Sequence, residues 1–371
     1  MNSTASNKHL AISERLLSLD VFRGLTMFLL IGEATFLYEH LLEFGAEDGL
    51  WQSFVLQFHH HPWNGLRFWD LIQPYFMFIV GVAMPFSFAA RWAKGQSWLD
   101  SFKHAITRSA ILLFLGWALY CIGPGKITFE LWDVLAQLSV TYLIAFLIMR
   151  KSMKIQFAIS IGLLLLTEVL YRTWSVPGYD QAFTPGHNFG SWMDMLLMGK
   201  VSAGHWIAFN AIPTSAHTIW GVLAGMILMS KRNWQSKLKI IGFAGLAMLV
   251  IGYGLDPFTP IVKRISTTTF VFASGGWALL TLAFLYWLID VRRIRSWAVF
   301  STFVGMNPLF IYLFSHTGGT EWFRKIIHPF VYGIFGFTSD AFTLTLESLL
   351  LWGLLWALTY WLYKKKIFIR I

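Results

Sequence analysis

The sequence predicts an all-α fold: a polytopic membrane bundle of about ten transmembrane helices, in a single domain over residues 1–371, with its N-terminus in the cytoplasm. Three observations predict it. Hydrophobic residues make up 56% of the chain and charged residues only 13%, about half the charge that a soluble surface carries. The apolar residues lie in runs that approach the roughly twenty residues needed to cross a bilayer. The basic residues recur in clusters between alternate runs, as in cytoplasmic loops that face anionic lipid. The net charge of +10 therefore reads as topology, and nucleic acid is not expected as a partner.

The expected spans, in order, are 20–40, 66–90, 108–122, 131–149, 155–171, 212–229, 238–254, 269–289, 297–316 and 342–363. The third is short, so its helix should start before Arg108. The ninth holds Pro308, which removes a helical N–H and breaks the run. The stretch 322–337 is apolar but interrupted by Arg324, Lys325, His328 and Pro329, so it reads as an interfacial or re-entrant segment, or as an eleventh span. With the N-terminus inside, most of the 29 Lys and Arg fall on the inner side. They include Lys8, Arg15 and Arg23 before the first span, Arg91, Lys94, Lys103 and Arg108 before the third, and Lys364, Lys365, Lys366 and Arg370 at the C-terminus. Residues 1–17 are polar, and the first apolar run is too long for the h-region of a signal peptide, so the first helix is expected to remain in the protein.

Histidine shows the opposite bias: of 11 histidines only His9 and His104 fall inside. Long outer loops collect polar residues, and outward-facing proton chemistry would also place histidines there. Two outer loops are long, 43–65 and 172–211. The second is turn-rich, with Pro177, Gly178, Pro185 and Gly186, yet its many aromatics and few charges argue for packed structure. The single cysteine, Cys121, allows no intrachain disulfide and no thiolate metal site. No P-loop, dinucleotide fingerprint, HExxH or GxSxG pattern is present.

Three places put polar groups into apolar sequence. Asp20 and Arg23 stand three apart at the inner end of the first span, where they can staple the helix end or help to bind an anion. Further along the same run lies Glu33, an intramembrane carboxylate and so a functional candidate. The segment from Phe58 to Pro74 carries His59, His60 and His61, then Trp63-Asn64-Gly65 with the look of a turn, then Asp70 and Gln73 on one helical face. Three adjacent histidines rarely all point at one ion, so no metal is expected. A histidine ahead of a buried carboxylate is instead the arrangement of an oriented general base. The third place pairs Ser215–Gly225, with Gly221 and Gly225 as a small-residue packing face, with Gly305-Met-Asn-Pro. His217 and Asn307 are the polar groups there. Small-residue faces also permit a homodimer.

Taken in order, Arg15-Leu-Leu-Ser-Leu-Asp-Val-Phe-Arg-Gly24, His60-x-x-Trp-Asn-Gly-Leu-x-x-x-Asp-Leu-x-x-Pro-x-Phe76, a Gly-Val-Leu-Ala-Gly helix and a late Gly-Met-Asn-x-x-x-x-Tyr helix resemble the heparan-α-glucosaminide N-acetyltransferase family, whose bacterial branch includes the NagX-type proteins. The resemblance implies transfer of an acetyl group across the membrane, from cytoplasmic acetyl-CoA as co-substrate to an amine or hydroxyl of a sugar or glycan outside. It implies His60 as the catalytic residue. Where the family has an asparagine late in the first helix, this sequence has Glu33-Ala34. Acyl transfer needs a base and an oxyanion donor. His60 is the expected base with Asp70 orienting it, and Asn64 and Glu33 complete the catalytic candidates. Asp20, Arg23, Arg91, Arg108 and Asn307 are the candidates for holding CoA, and His217 and Trp63 for touching the acceptor. The lipid bilayer is the expected environment, in a bacterial inner membrane because the long luminal extension of the animal members is missing. An amino-sugar transporter is the alternative; it is disfavoured because no repeat of two halves is visible.

Overall fold

A computed structural model describes residues 16–44 and 49–369. The calls that fall on 1–15, including Lys8, His9, Arg15 and the retained N-terminal segment, lie outside the described residues, as does Arg370. The described residues form α-helices and no strand. In chain order these are α1 (Leu17–Glu33), α2 (Leu37–Leu42), α3 (Leu50–Val55), α4 (Ile72–Ala93), α5 (Trp98–Ile122), α6 (Val134–Ile148), α7 (Met153–Thr173), α8 (Phe189–Met198), α9 (Ala211–Met229), α10 (Trp234–Gly254), α11 (Thr268–Leu285), α12 (Val299–Met306), α13 (Pro308–Phe314), α14 (Thr320–Phe335) and α15 (Asp340–Lys364).

Among the described residues, seven helical segments are long and apolar enough to cross a membrane: Phe68–Ala93, Trp98–Ile122, Met153–Thr173, Ala208–Met229, Trp234–Gly254, Thr268–Val291 and Asp340–Lys364. The other three expected spans are helical but shorter or interrupted. Helix α1 has 17 residues and α6 has 15. The expected run 297–316 divides at Asn307, whose ψ of 47° leaves the helical region so that Pro308 can open α13 at its first position. Helix α5 begins ten residues before Arg108 because Ser97 and Asp100 form a reciprocal N-terminal cap. The interrupted stretch 322–337 lies mostly in a regular helix, α14, despite Pro329.

Burial separates an inner set of helices from an outer one. The spans built on α9, α4 and α11 are 72%, 67% and 61% buried, whereas those of α5, α7 and α10 are 22% buried. The outer set therefore presents apolar side chains outward, as lipid requires. The α4–α9 seam is made by glycine, as the small-residue spacing predicted. A Cβ on Gly81 would stand 2.1 Å from the Thr218 carbonyl oxygen, and one on Gly221 2.2 Å from that of Phe78. The two backbones are in contact, and any side chain would part them. Helix α1 is seated on α12 in the same way: a Cβ on Gly24 would stand 2.0 Å from the Ser301 oxygen.

The long loop 172–211 is packed, as its aromatics implied. It contains α8, capped by the Asn188 side chain, and its Phe189, Trp174 and Trp192 pack with Tyr171 and Ile207. Two contacts hold the ends of other loops to the segment before α4. Asn64 pairs with Val262 as an isolated antiparallel bridge, and the Gly65 N–H donates to the Ile261 oxygen at 2.8 Å. The loop between α10 and α11 is thereby fixed against the histidine segment.

Candidate active site

The three adjacent histidines diverge. His59 Nε2 lies 3.1 Å from the Tyr38 oxygen, and His61 lies under Gly65. Among the described residues no three His, Cys, Asp or Glu side chains come together as a metal site. His60 turns toward the bundle. Its Nδ1 lies 2.9 Å from Asp70 Oδ1. Asp70 is fully buried, and its other oxygen accepts the backbone N–H groups of His61 at 3.2 Å and Arg67 at 3.0 Å. A carboxylate with these donors accepts only, so His60 Nδ1 carries the proton and donates it. Nε2 is then the nitrogen with a free lone pair.

Beneath this pair sits a group that sequence reasoning did not single out. Lys263, from the α10–α11 loop, is 6% exposed. Its Nζ lies 3.1 Å from His60 Nδ1 and 3.7 Å from Asp70 Oδ1. Trp206, from the 172–211 loop, closes the arrangement. Its ring meets His60 edge-on at 5.3 Å, with Lys263 Nζ 5.4 Å from it and the Arg264 guanidinium at 5.3 Å. Burial, reinforced by the Lys263 ammonium and against the pull of Asp70, pushes the His60 imidazole down from 6.5 to about 4. Burial also pushes the Lys263 amine down to about 8, with Asp70 and Glu33 opposing it.

His60, Lys263 and Trp206 border a cavity of about 220 Å³ at the His60 end of the bundle, lined among others by Glu33, Gln73, Trp132, Asp133, Gln137 and His316. Glu33 Oε1 accepts the Trp69 indole N–H at 2.7 Å. The Gln73 amide donates to Gln137 across α4 and α6. Asp133 caps α6 by accepting the Leu135 N–H at 2.7 Å, and it accepts the Tyr312 hydroxyl at 2.9 Å. Behind Trp132 lies Asp194 of α8, fully buried, which accepts the Trp132 indole N–H at 2.7 Å and the Ala208 N–H at 3.1 Å. Burial raises the Asp194 carboxyl to about 7.

A second cavity of about 350 Å³ lies toward the Arg23 end, lined by apolar residues of α1, α4, α5, α6 and α13 together with Arg23, Arg108 and Ile369. Phe76, Val134 and Tyr312 line both cavities. Arg108 lies over the Tyr142 ring at 4.8 Å, and its buried Nε has no hydrogen-bond partner. Arg23 and Asp20 approach to 3.5 Å.

The structure thus brings together His60, Asp70 and Glu33 at one cavity and Arg23 and Arg108 at the other. The remaining candidates stand apart. Asn64 is exposed and serves through its backbone bridge. Trp63 donates to the Phe183 oxygen at 2.8 Å, inside the packed loop. His217 is fully buried, 2.8 Å from Ser274 Oγ, among Trp220 and Phe270, and lines neither cavity. Asp20 is turned to Arg23, and Arg91 Nη2 lies 3.0 Å from His104 Nε2. Both amide atoms of Asn307 are engaged by the chain's own tail: Nδ2 donates to the Ile367 oxygen and Oδ1 accepts the Ile369 N–H, each at 2.9 Å. The residues that sequence reasoning missed, Lys263, Trp206, Gln137 and Tyr312, come from four separate segments. The signals available were the Tyr of the late Gly-Met-Asn motif and a Lys-Arg pair in a short outer loop.

No family model matches the chain. The chain is 25% identical over 432 residues to the human protein named heparan-alpha-glucosaminide N-acetyltransferase, and 24% identical over 428 residues to the mouse protein of that name. Each alignment covers 97% of this chain, which spans 60% and 61% of the length of these relatives. The resemblance first carried by short motifs therefore extends along nearly the whole chain, which is similar throughout to the heparan-alpha-glucosaminide N-acetyltransferases.

Proposed function

We propose that the protein is a transmembrane acyltransferase that moves an acetyl group from cytoplasmic acetyl-CoA to an amine or hydroxyl of an amino sugar or glycan on the far side of the membrane. The observation that carries this reading is the common wall of the two cavities. Phe76, Val134 and Tyr312 border both an apolar cavity edged by Arg23 and Arg108 and a polar cavity edged by His60. An apolar bore with arginines at one end suits a thioester on a long chain with phosphates at its tail. The unpartnered Arg108 Nε is a donor that a phosphate oxygen would satisfy. On this reading the Arg23 end faces the cytoplasm, the ten helical runs are ten spans, and a bacterial inner membrane is the setting.

The chemistry follows from the geometry at the other end. Acetyl transfer requires the acceptor to lose a proton as the carbonyl carbon is attacked. The His60 Nε2 lone pair takes that proton, the buried Asp70 carboxylate stabilises the imidazolium so formed, and as the thioester C–S bond breaks the imidazolium returns the proton to the departing CoA thiolate. Because the imidazole is held near 4, it is unprotonated at neutral pH. The Gln73 and Gln137 amides on the cavity wall are candidates for donating to the developing oxyanion.

The test is acetyl transfer by purified protein in liposomes, with labelled acetyl-CoA on one side and glucosamine on the other. Wild type should label the sugar, and His60→Ala should lose about a hundredfold or more of that rate while remaining folded. Full activity in folded His60→Ala would remove His60 from the mechanism. Sugar uptake that needs no acetyl-CoA would replace this reading with a transporter.

A further inference from the structure

Lys263 has no counterpart in the roles assigned so far, and its placement is costly. An ammonium that is 6% exposed has lost most of its hydration, which costs several kcal/mol unless charge returns it. Its nearest carboxylate, Asp70, is 3.7 Å away, whereas the His60 ring is nearer, at 3.1 Å. The contact with His60 is not an ordinary hydrogen bond, because His60 Nδ1 already gives its proton to Asp70 at 2.9 Å. The ammonium therefore faces the protonated side of a neutral imidazole. A second proton on that ring would meet a positive charge at close range.

The charges around His60 can be followed element by element. On its own segment, Arg67 donates from Nη1 to the His60 carbonyl oxygen at 3.1 Å, and Asp70 accepts from the ring. Lys263 and Arg264 approach from the loop before α11, both against Trp206. Across the cavity stand Glu33 on α1, Asp133 before α6 and His316 after α13. Asp70 and Lys263 both lie within 4 Å of the ring Nδ1, and they act in opposite directions. The carboxylate favours the imidazolium because it rewards the charge, whereas burial and the Lys263 ammonium both oppose it. An imidazolium is useless as a base.

We propose that Lys263 is a positioning residue for His60: its ammonium offsets the charge of Asp70, so that the carboxylate orients the ring without protonating it and Nε2 is presented to the cavity as a free base. The Asn64–Val262 bridge and the Gly65–Ile261 hydrogen bond serve this arrangement, because they tie the backbone beside Lys263 to the backbone beside His60. The purpose of the device rests on the acyl-transfer reading. The device itself does not, and the two can be tested apart.

The probe is diethyl pyrocarbonate, which acylates neutral imidazole, with tandem mass spectrometry of the full-length protein in liposomes to assign modification to His60. The His60 side chain is 31% exposed and reachable. The modification rate is followed from about pH 4 to about pH 8 for wild type, Lys263→Met and Lys263→Arg. Loss of the positive charge should raise the midpoint for His60 by about one unit, a tenfold lower rate on the acid side. Lys263→Arg should keep the wild-type midpoint, which loss of packing alone would not predict. An unchanged midpoint in Lys263→Met would overturn the proposal. If that variant does not fold, Lys263→Gln, polar and uncharged, carries the same two outcomes. Acetyl transfer is assayed in parallel. A wild type that transfers nothing would fail the acyltransferase reading while leaving the midpoint to decide Lys263.

Discussion

The Tyr312 hydroxyl donates to the Asp133 carboxylate at 2.9 Å, while the same residue lines both cavities. The bond ties α13 to the first residue of α6 and fixes the side chain that divides the two spaces. Tyr312→Phe leaves a buried acceptor short of one donor, which costs roughly 1–3 kcal/mol. A lower melting temperature should follow. The double variant with Asp133→Asn should lose less than the sum of the two single losses, because both remove one interaction.

Phe76 shares that dividing wall and lies on α4, two turns from Asp70. A larger ring at this point narrows the passage without touching Arg23, Arg108 or His60. Phe76→Trp is therefore expected to lower acetyl transfer by about tenfold or more, with donor affinity kept within roughly threefold. Turnover and equilibrium binding of acetyl-CoA, measured on the same preparation, check this. Equal losses in both would place Phe76 in the donor site instead.

Asp194 anchors Trp132 and the start of α9 from behind the site, and its carboxyl is raised from 3.8 to about 7. The folded protein therefore holds a proton that the unfolded chain releases at lower pH. The stability linked to this group is complete below about pH 4 and declines as pH rises to about 7, by up to about 1.4 kcal/mol per pH unit. The melting temperature of wild type should fall over that window, and that of Asp194→Asn should fall less. Parallel curves for the two proteins would contradict this.

Asn307 grips Ile367 and Ile369 with both ends of its amide, and Ile369 lines the larger cavity. Asn307→Ala should free residues 367–369, seen as faster limited proteolysis there and a loss of about 1–3 kcal/mol in stability. Affinity for acetyl-CoA should be retained, because the amide faces the tail. A selective loss of affinity with the tail still protected would return Asn307 to the donor site.

The helical class, the order of the apolar runs and the glycine seam of α4 and α9 were legible because each is written locally, in hydropathy and in i, i+4 spacing. The His60–Asp70 pair was legible for the same reason, since both lie within one short segment. Lys263 and Trp206 were not, because only the folding of two distant loops onto the histidine segment brings them within reach. Asn307 and His217 show the opposite failure. A polar residue in an apolar run announces that it needs a partner, but not whether that partner is a ligand, a serine on the next helix or the chain's own terminus.

The glycine seam between α4 and α9 bears on how such a protein could turn over. Helix α4 begins two residues after Asp70 and walls both cavities along its length, and at Gly81 its backbone touches that of α9 with no side chain between. Each helix there sets a carbonyl oxygen against the glycine Cα of the other, a contact that holds the two backbones at one close spacing. On the acyl-transfer proposal, movement during a cycle would then fall to side chains at the partition and to the loops at the two mouths.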